Sequence, residues 1–101
     1  MFEKDKPRYV TRQIASDVSM EIQTLLWRMI GKRRSNQELL DYLQVFHLQR
    51  SGDMQRITNK QEQPLMEMAV QLELKESQSF DTTIWIVDDG SHCTMMFPND
   101  Y

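Results

Sequence analysis

One stretch constrains the fold more than any other: the segment from Thr82 to Pro98, which reads TTIWIVDDGSHCTMMFP. Two runs rich in β-branched, aromatic and thioether side chains flank the dipeptide Asp89-Gly90. This dipeptide accepts the positive φ angles that both central positions of a type I′ turn require. The sequence therefore predicts a β-hairpin in which Asp88 lies opposite Ser91 at the closed end.

The register of this hairpin assigns its side chains to two faces. With a two-residue loop, Trp85 pairs with Thr94 and Ile84 pairs with Met95. Side chains alternate along a strand, so one face is nearly all apolar and is predicted to point into the core. Its residues are Ile84, Ile86, Cys93, Met95 and Phe97. The other face is mixed, and we expect it to be half exposed or covered by a partner; it carries Thr83, Trp85, Val87, His92, Thr94 and Met96.

Length and composition predict one domain over residues 1–101, with a charged tail at 1–7 and a short C-terminal tail at 99–101. The formal net charge is only −3, so bulk charge favours no particular partner. Cys93 is the only cysteine, which excludes an internal disulfide and favours a reducing compartment. Neither a signal peptide nor a membrane span is evident, and we expect a cytoplasmic protein without a membrane partner.

The N-terminal part of the chain changes from a strand pattern to a helix pattern. Residues 8–15 alternate in β-favouring residues and are predicted as a strand. From Val18 to Ile30, apolar residues recur at the spacing of an amphipathic helix. Asp17 and Ser19 are both candidate N-caps, and Gly31 is the predicted stop. Residues 32–38 are interpreted as a loop or a frayed extension of the helix.

Three further strands are predicted before the hairpin. Residues 42–48 are apolar on both sides, which is typical of a central strand. Residues 54–63 are extended but polar, and we expect them to face the surface. Residues 66–74 alternate strictly between apolar and other residues, so their spacing of two outweighs their helix propensity.

Together these segments predict an α+β fold with the element order β-α-β-β-β-β-β. We expect an antiparallel β-meander of five to six strands, with one N-terminal amphipathic helix packed on one face. Because one helix covers only one side of a sheet, the other side remains available.

Three segments also resemble a known family: FEKDKPRYVTR at residues 2–12, LDYLQVF at 40–46, and IWIVDDG at 84–90 with CTM shortly after it. In combination they are similar to the domain-of-unknown-function 960 family, small proteins of staphylococci and related Gram-positive bacteria. The resemblance covers nearly the whole chain and implies a bacterial cytoplasmic protein. It implies no activity and no site residues.

The hairpin turn contains four residues that are candidates for a metal or catalytic site: Asp88, Asp89, His92 and Cys93. These residue types ligate metals, and a thiol beside an imidazole occurs in cysteine nucleophiles. However, His92 and Cys93 are adjacent, so a strand would direct them to opposite faces. Turn chemistry alone accounts for Asp88 and Asp89. We therefore predict no metal, no cofactor and no catalytic site.

A basic run at the end of the helix is the second candidate; it contains Arg28, Lys32, Arg33 and Arg34. Such a patch can bind phosphate, and exposed aromatics of a sheet can stack on bases. The aromatics that would serve are Tyr9, Tyr42 and Trp85. Cations also favour helix C-termini for electrostatic reasons alone, and the chain is acidic overall. Nucleic-acid binding is therefore the alternative function.

The mixed hairpin face is the candidate we rank first. Its predicted interaction surface consists of Trp85, Val87, Met96, Thr94 and His92. An uncovered patch of this kind marks an interface. The sequence thus predicts a non-enzymatic interaction or regulatory module whose partner is another protein or a second copy of the chain.

Overall fold

The computed structural model describes residues 1–101 and contains six strands and two α-helices. The strands are β1 (Arg8–Val10), β2 (Leu43–Ser51), β3 (Met54–Glu62), β4 (Leu65–Leu72), β5 (Thr82–Asp88) and β6 (Cys93–Met96). The helices are α1 (Arg12–Asp17) and α2 (Met20–Ser35), and a 3-10 turn spans Pro98–Asp100. The predicted α+β class, with one main helix near the N-terminus, is confirmed.

All six strands form one sheet with the order β1-β6-β5-β2-β3-β4. Neighbouring strands are antiparallel except β1 and β6, which are parallel. The order departs from a simple meander because β5 pairs with β2 instead of β4. The chain between β4 and β5 returns across the end of the sheet, where Gln55 bonds both the N–H and the C=O of Phe80 at 3.0 and 3.1 Å.

Both helices lie on one face of the sheet and bury a single core with it. From the helical side the core receives Ile14, Val18, Ile22, Leu26, Met29 and Ile30. From the sheet it receives Phe46, Leu48, Ile57, Ile84, Ile86, Cys93 and Met95. The predicted core face of the hairpin is thus confirmed for four of its five residues, and Phe97 packs half-buried against the same core.

The helix boundaries differ from the prediction in two places. The strand predicted for residues 8–15 ends at Val10, because the Thr11 hydroxyl accepts a bond from the Ile14 N–H and starts α1. Ser19, one of the two predicted N-caps, caps α2 by accepting a hydrogen bond from the Ile22 N–H at 3.2 Å. Gly31 was wrong as a stop: α2 continues to Ser35, and the extra turn brings Arg33 into the interior.

The hairpin register is shifted by two residues from the prediction. Asp88 pairs with Cys93 and Trp85 pairs with Met96, which leaves a four-residue loop. The Asp89 carboxylate holds this loop by accepting from the N–H groups of Ser91 and His92, both at 3.0 Å. Because the shift is an even number, every side chain stays on its predicted face.

The N-terminal segment is not a free tail. Phe2 is 2% exposed, and its N–H donates to the Asp88 carboxylate at 2.7 Å. The Lys6 ammonium lies 2.9 Å from the same carboxylate. Burial of one large aromatic side chain together with these charge-assisted bonds outweighs the polarity of the segment. The C-terminal residues also pack back, since the Tyr101 ring meets the Trp85 ring edge-on at 5.8 Å.

Candidate functional site

The face of the sheet opposite the helices carries no helix. Register places Tyr9 beside Thr94, Thr94 beside Val87, and Val87 beside Leu43. In the next row Met96 lies beside Trp85, and Trp85 beside Val45. We call these seven residues the open-face band: Tyr9, Leu43, Val45, Trp85, Val87, Thr94 and Met96.

The centre of this band is Trp85, which is half-buried on its own sheet. Tyr101 covers one side of the indole edge-on, while Tyr101 itself is 77% exposed. Val87 is nearly covered by its neighbours at 8% exposure, so it supports the band more than it offers free surface. Tyr9 is 56% exposed at the opposite end. The band therefore has a flat apolar centre with an exposed aromatic ring at two of its margins.

The structure brings four of the five residues predicted for the interaction surface into direct register: Trp85, Val87, Thr94 and Met96. His92 lies in the loop next to them, with its ring 5.2 Å from the Tyr9 ring in an edge-to-face contact. Leu43 and Val45 were not predicted for this surface, and Tyr9 was predicted only as an exposed aromatic of the sheet that could stack on bases. They come from strands far away in the chain, and only the alternation of Leu43 and Val45 hinted at a second apolar side.

A groove continues the band towards β4. Its volume is about 620 Å³, and its wall includes Leu43, Val45, His47, Lys60 and Leu65. Leu65 is 87% exposed, which is the largest exposure of any large apolar side chain in the protein. Apolar surface thus extends beyond Trp85 into a shallow depression that a protruding side chain can enter.

The basic run does not form one surface. Arg33 is 1% exposed, and its guanidinium donates to Gln44 and Asn59 at 2.8 Å and to Gln61 at 2.7 Å. Its remaining side-chain bond, from Nε, goes to the Glu38 carboxylate at 3.0 Å. Arg33 therefore fastens α2 to the sheet, and its prediction as a phosphate contact was wrong.

The other three cations are divided as well. Arg34 is half-buried and donates to the Phe2 carbonyl at 3.1 Å, so its charge is directed at the N-terminal segment. Arg28 and Lys32 are exposed and lie one helical turn apart on the outer side of α2. Arg8 stacks over the Trp27 ring at 4.8 Å. Only two members of the predicted patch remain free on one face.

The buried polar network around Arg33 was missed from the sequence. Residues 54–63 were expected at the surface because they are polar, yet Gln55, Asn59 and Gln61 are each at most 3% exposed. Every buried side-chain polar atom in the protein has a hydrogen-bond partner. The available signal was the placement of the amides at intervals of two around Ile57, which is the spacing of a buried strand face.

The turn cluster is divided between the two faces of the hairpin. Cys93 is buried on the core side, and burial, together with the Asp88 charge, raises the pKa of its thiol to about 11. Asp88 is occupied by Phe2, Lys6 and the Gly90 N–H. His92 points the other way and lies 3.2 Å from Asp89. No three histidine, cysteine or carboxylate side chains are arranged to hold a metal ion.

Comparison with known proteins identifies the family but not an activity. The family model described as "Staphylococcal protein of unknown function (DUF960)" matches residues 7–100. The chain belongs to this family. The predicted resemblance is thereby confirmed for nearly the whole sequence.

A solved structure supports the fold of this DUF960 member. The crystal structure of a protein of unknown function from Enterococcus faecalis superimposes with a TM-score of 0.88 at 24% identity, and the match covers 99% of this chain and 94% of that one. Comparison with curated proteins finds no match. Neither helix of this DUF960 protein is both long and apolar enough to cross a lipid bilayer.

Proposed function

We propose that this DUF960 protein is a non-enzymatic interaction module that associates with a second copy of itself through the open-face band. The observation that carries the proposal is the apolar row around Trp85, which no helix covers, on a sheet whose other face carries both helices. Two such sheets can pack face to face at about 10 Å, with their side chains interdigitated.

Size and charge support a second copy as the occupant. The two larger dimensions of the molecule are 36 and 27 Å, so the sheet face is large enough for the roughly 800 Å² per partner that a specific interface buries. The open-face band contains no charged residue, so a second copy meets no like charge at its centre. Trp85 is the natural anchor, because buried tryptophans contribute strongly to binding at the centre of interfaces.

The experiment is sedimentation equilibrium of the wild type and of Trp85→Ser, with circular dichroism to verify that each is folded. We expect a wild-type dimer and a folded Trp85→Ser monomer. Met20→Ser is the matched control, since Met20 is 71% exposed on the helical side and its loss should leave the dimer intact.

A variant with a single tryptophan tests dimerisation by fluorescence, without a mutation that disrupts the interface. Trp27→Phe leaves Trp85 as the only tryptophan, so its emission should shift to the blue as protein concentration rises through the dimerisation range. The proposal would be contradicted if the wild type remained a monomer at high concentration and the Trp85 emission of Trp27→Phe did not change.

Nucleic-acid binding has weaker support, because only Arg28 and Lys32 of the four predicted contacts are exposed together. It stays a prediction, and salt-dependent RNA or DNA binding would be its signature. We place the module in the cytoplasm, since its single cysteine is a buried free thiol that suits a reducing compartment.

A further inference from the structure

Strand β4 ends the sheet and has an open outer edge. It pairs only with β3, in a continuous register from Leu65 opposite Glu62 to Leu72 opposite Gln55. In such a ladder the N–H and C=O groups of every second residue point away from the partner strand. No loop or side chain of the protein bonds to the outer edge of β4. Eight residues therefore present a template for one more strand.

The usual protections of an edge strand are sparse in β4. Natural edges carry prolines, bulges, several charged side chains or a covering segment. Within Leu65–Leu72 there is no proline, the register shows no bulge, and Glu67 is the single charged residue. This edge is longer than that of β1, the other end of the sheet, which has three residues.

The core side of β4 offers apolar contacts to an added strand. Four side chains point there, as their partners in β3 do: Met66, Met68, Val70 and Leu72. All four are only half-buried, and Met68, Val70 and Leu72 pack against the core. An added strand with apolar residues at every second position would cover this row and exclude water from it.

The opposite side of the same edge is acidic. Glu67 is exposed there, Glu73 follows three alternations further on, and Glu62 stands beside Leu65 at the start of the strand. Two cations belong to the next strand inward: Lys60 lies 3.8 Å from Glu67, and Arg56 stands beside Gln71. A second copy of β4 would bring the same carboxylates to this edge, whereas lysine or arginine would pair with them.

We propose that β4 binds an extended segment of another protein as a seventh strand, and that this segment alternates apolar with basic residues. Backbone hydrogen bonds would hold the segment, while the half-buried row and the carboxylates would select its side chains. The edge of β4 contributes no residue to the open-face band, although Leu65 and Glu67 line the groove that continues the band. Binding of a seventh strand does not require Trp85, so the inference goes beyond the proposed function and can fail independently of it.

The probe is a labelled nine-residue peptide that alternates valine and lysine, compared with a peptide of the same composition in which all valines precede all lysines. Fluorescence anisotropy should show binding of the alternating peptide and at least tenfold weaker binding of the other. Glu67→Lys should lower the affinity for the alternating peptide by about tenfold, since one cross-strand attraction becomes a repulsion. The matched charge reversal Asp5→Lys, at an exposed position of the N-terminal segment, should change it less than twofold.

Hydrogen exchange provides a second measurement, because a peptide held only by electrostatic attraction would not protect backbone amides of β4. On binding, amides within residues 65–72 should become protected while those of β1 remain unchanged. Equal affinity for the two peptides, or no protection in β4, would overturn the proposal. A dimer that persists in Trp85→Ser and dissociates in Glu67→Lys would place a second copy at this edge instead and would also overturn it.

Discussion

The backbone N–H of Phe2 and the buried carboxylate of Asp88 are joined by a hydrogen bond of 2.7 Å. The same carboxylate accepts from Lys6 and from the Gly90 N–H, so one side chain ties the N-terminal segment to the hairpin loop. We expect Asp88→Asn to lower the free energy of unfolding by about 1–3 kcal/mol, because an amide cannot accept all of these bonds. Urea denaturation measures the loss, and Asp5→Asn is the exposed control. An unchanged urea midpoint for Asp88→Asn would show that the hydrogen bonds of this carboxylate do not stabilise the fold.

The same carboxylate predicts how stability depends on pH. Burial alone would raise the pKa of Asp88, but the bonds from the Phe2 N–H, Lys6 and the Gly90 N–H outweigh it and lower the pKa below the ordinary 3.8. A lowered folded-state pKa contributes stability at pH values above 3.8, and this contribution is lost as pH falls from there through the folded-state value. Urea midpoints between pH 7 and pH 2 should therefore drop below about pH 4 in the wild type. The drop should be smaller in Asp88→Asn; equal slopes would assign the acid sensitivity to other carboxylates.

Arg33 should be one of the most sensitive positions in the chain. Arg33→Met leaves the side-chain oxygens of Asn59 and Gln61 without their strongest donor, and we expect a loss of at least about 3 kcal/mol in the free energy of unfolding. Arg33→Lys should recover only part of it, since an ammonium lacks the planar fork that reaches all partners. Denaturation in urea gives both values.

Arg28→Met is the control for that series. Arg28 is exposed on the same helix, so its replacement should change the free energy of unfolding by less than about 0.5 kcal/mol. Similar losses at Arg28 and Arg33 would mean that helix propensity, and not the buried network, explains the effect.

Cys93 should be almost unreactive in the native protein. Cys93 is 2% exposed as a residue, and burial, followed by the nearby Asp88 charge, raises the pKa of its thiol to about 11, so little thiolate exists at pH 8. A thiol reagent such as DTNB should react slowly with the folded chain and rapidly in urea. In Phe2→Ala, which opens the core near the hairpin, the native-state rate should rise. Fast labelling of the folded wild type would contradict this burial.

The parts of the fold that sequence predicted correctly depend on local alternation. The face of each hairpin residue follows from its position along the strand, so Ile86 and Cys93 were assigned to the core without knowledge of the loop. The loop itself was not predictable, because the Asp89 side chain stabilises a four-residue connection that competes with the two-residue turn favoured by Asp89-Gly90. Local patterns thus predicted the face on which each hairpin side chain lies, but not which residues pair across the hairpin.

The features that sequence missed depend on contacts between distant segments. Nothing near Phe2 indicates that its ring will enter a core assembled from α2 and the hairpin. Likewise, Gln44, Asn59 and Gln61 appear as surface residues until Arg33 is brought among them. Of the candidate surface, Trp85 was predictable from its own strand, whereas Tyr9 and Val45 joined it only through the sheet order.

The four-residue hairpin loop is where this protein can change in length without exchanging its two faces. The faces of β6 follow from the pairing of Asp88 with Cys93, and hairpin loops of odd and of even length both join paired strands. An insertion within β6, by contrast, must either form a bulge or turn Met95 outward and Met96 inward, exchanging core and open surface in one step. Length differences among natural relatives should therefore be concentrated in this loop, outside the paired strands.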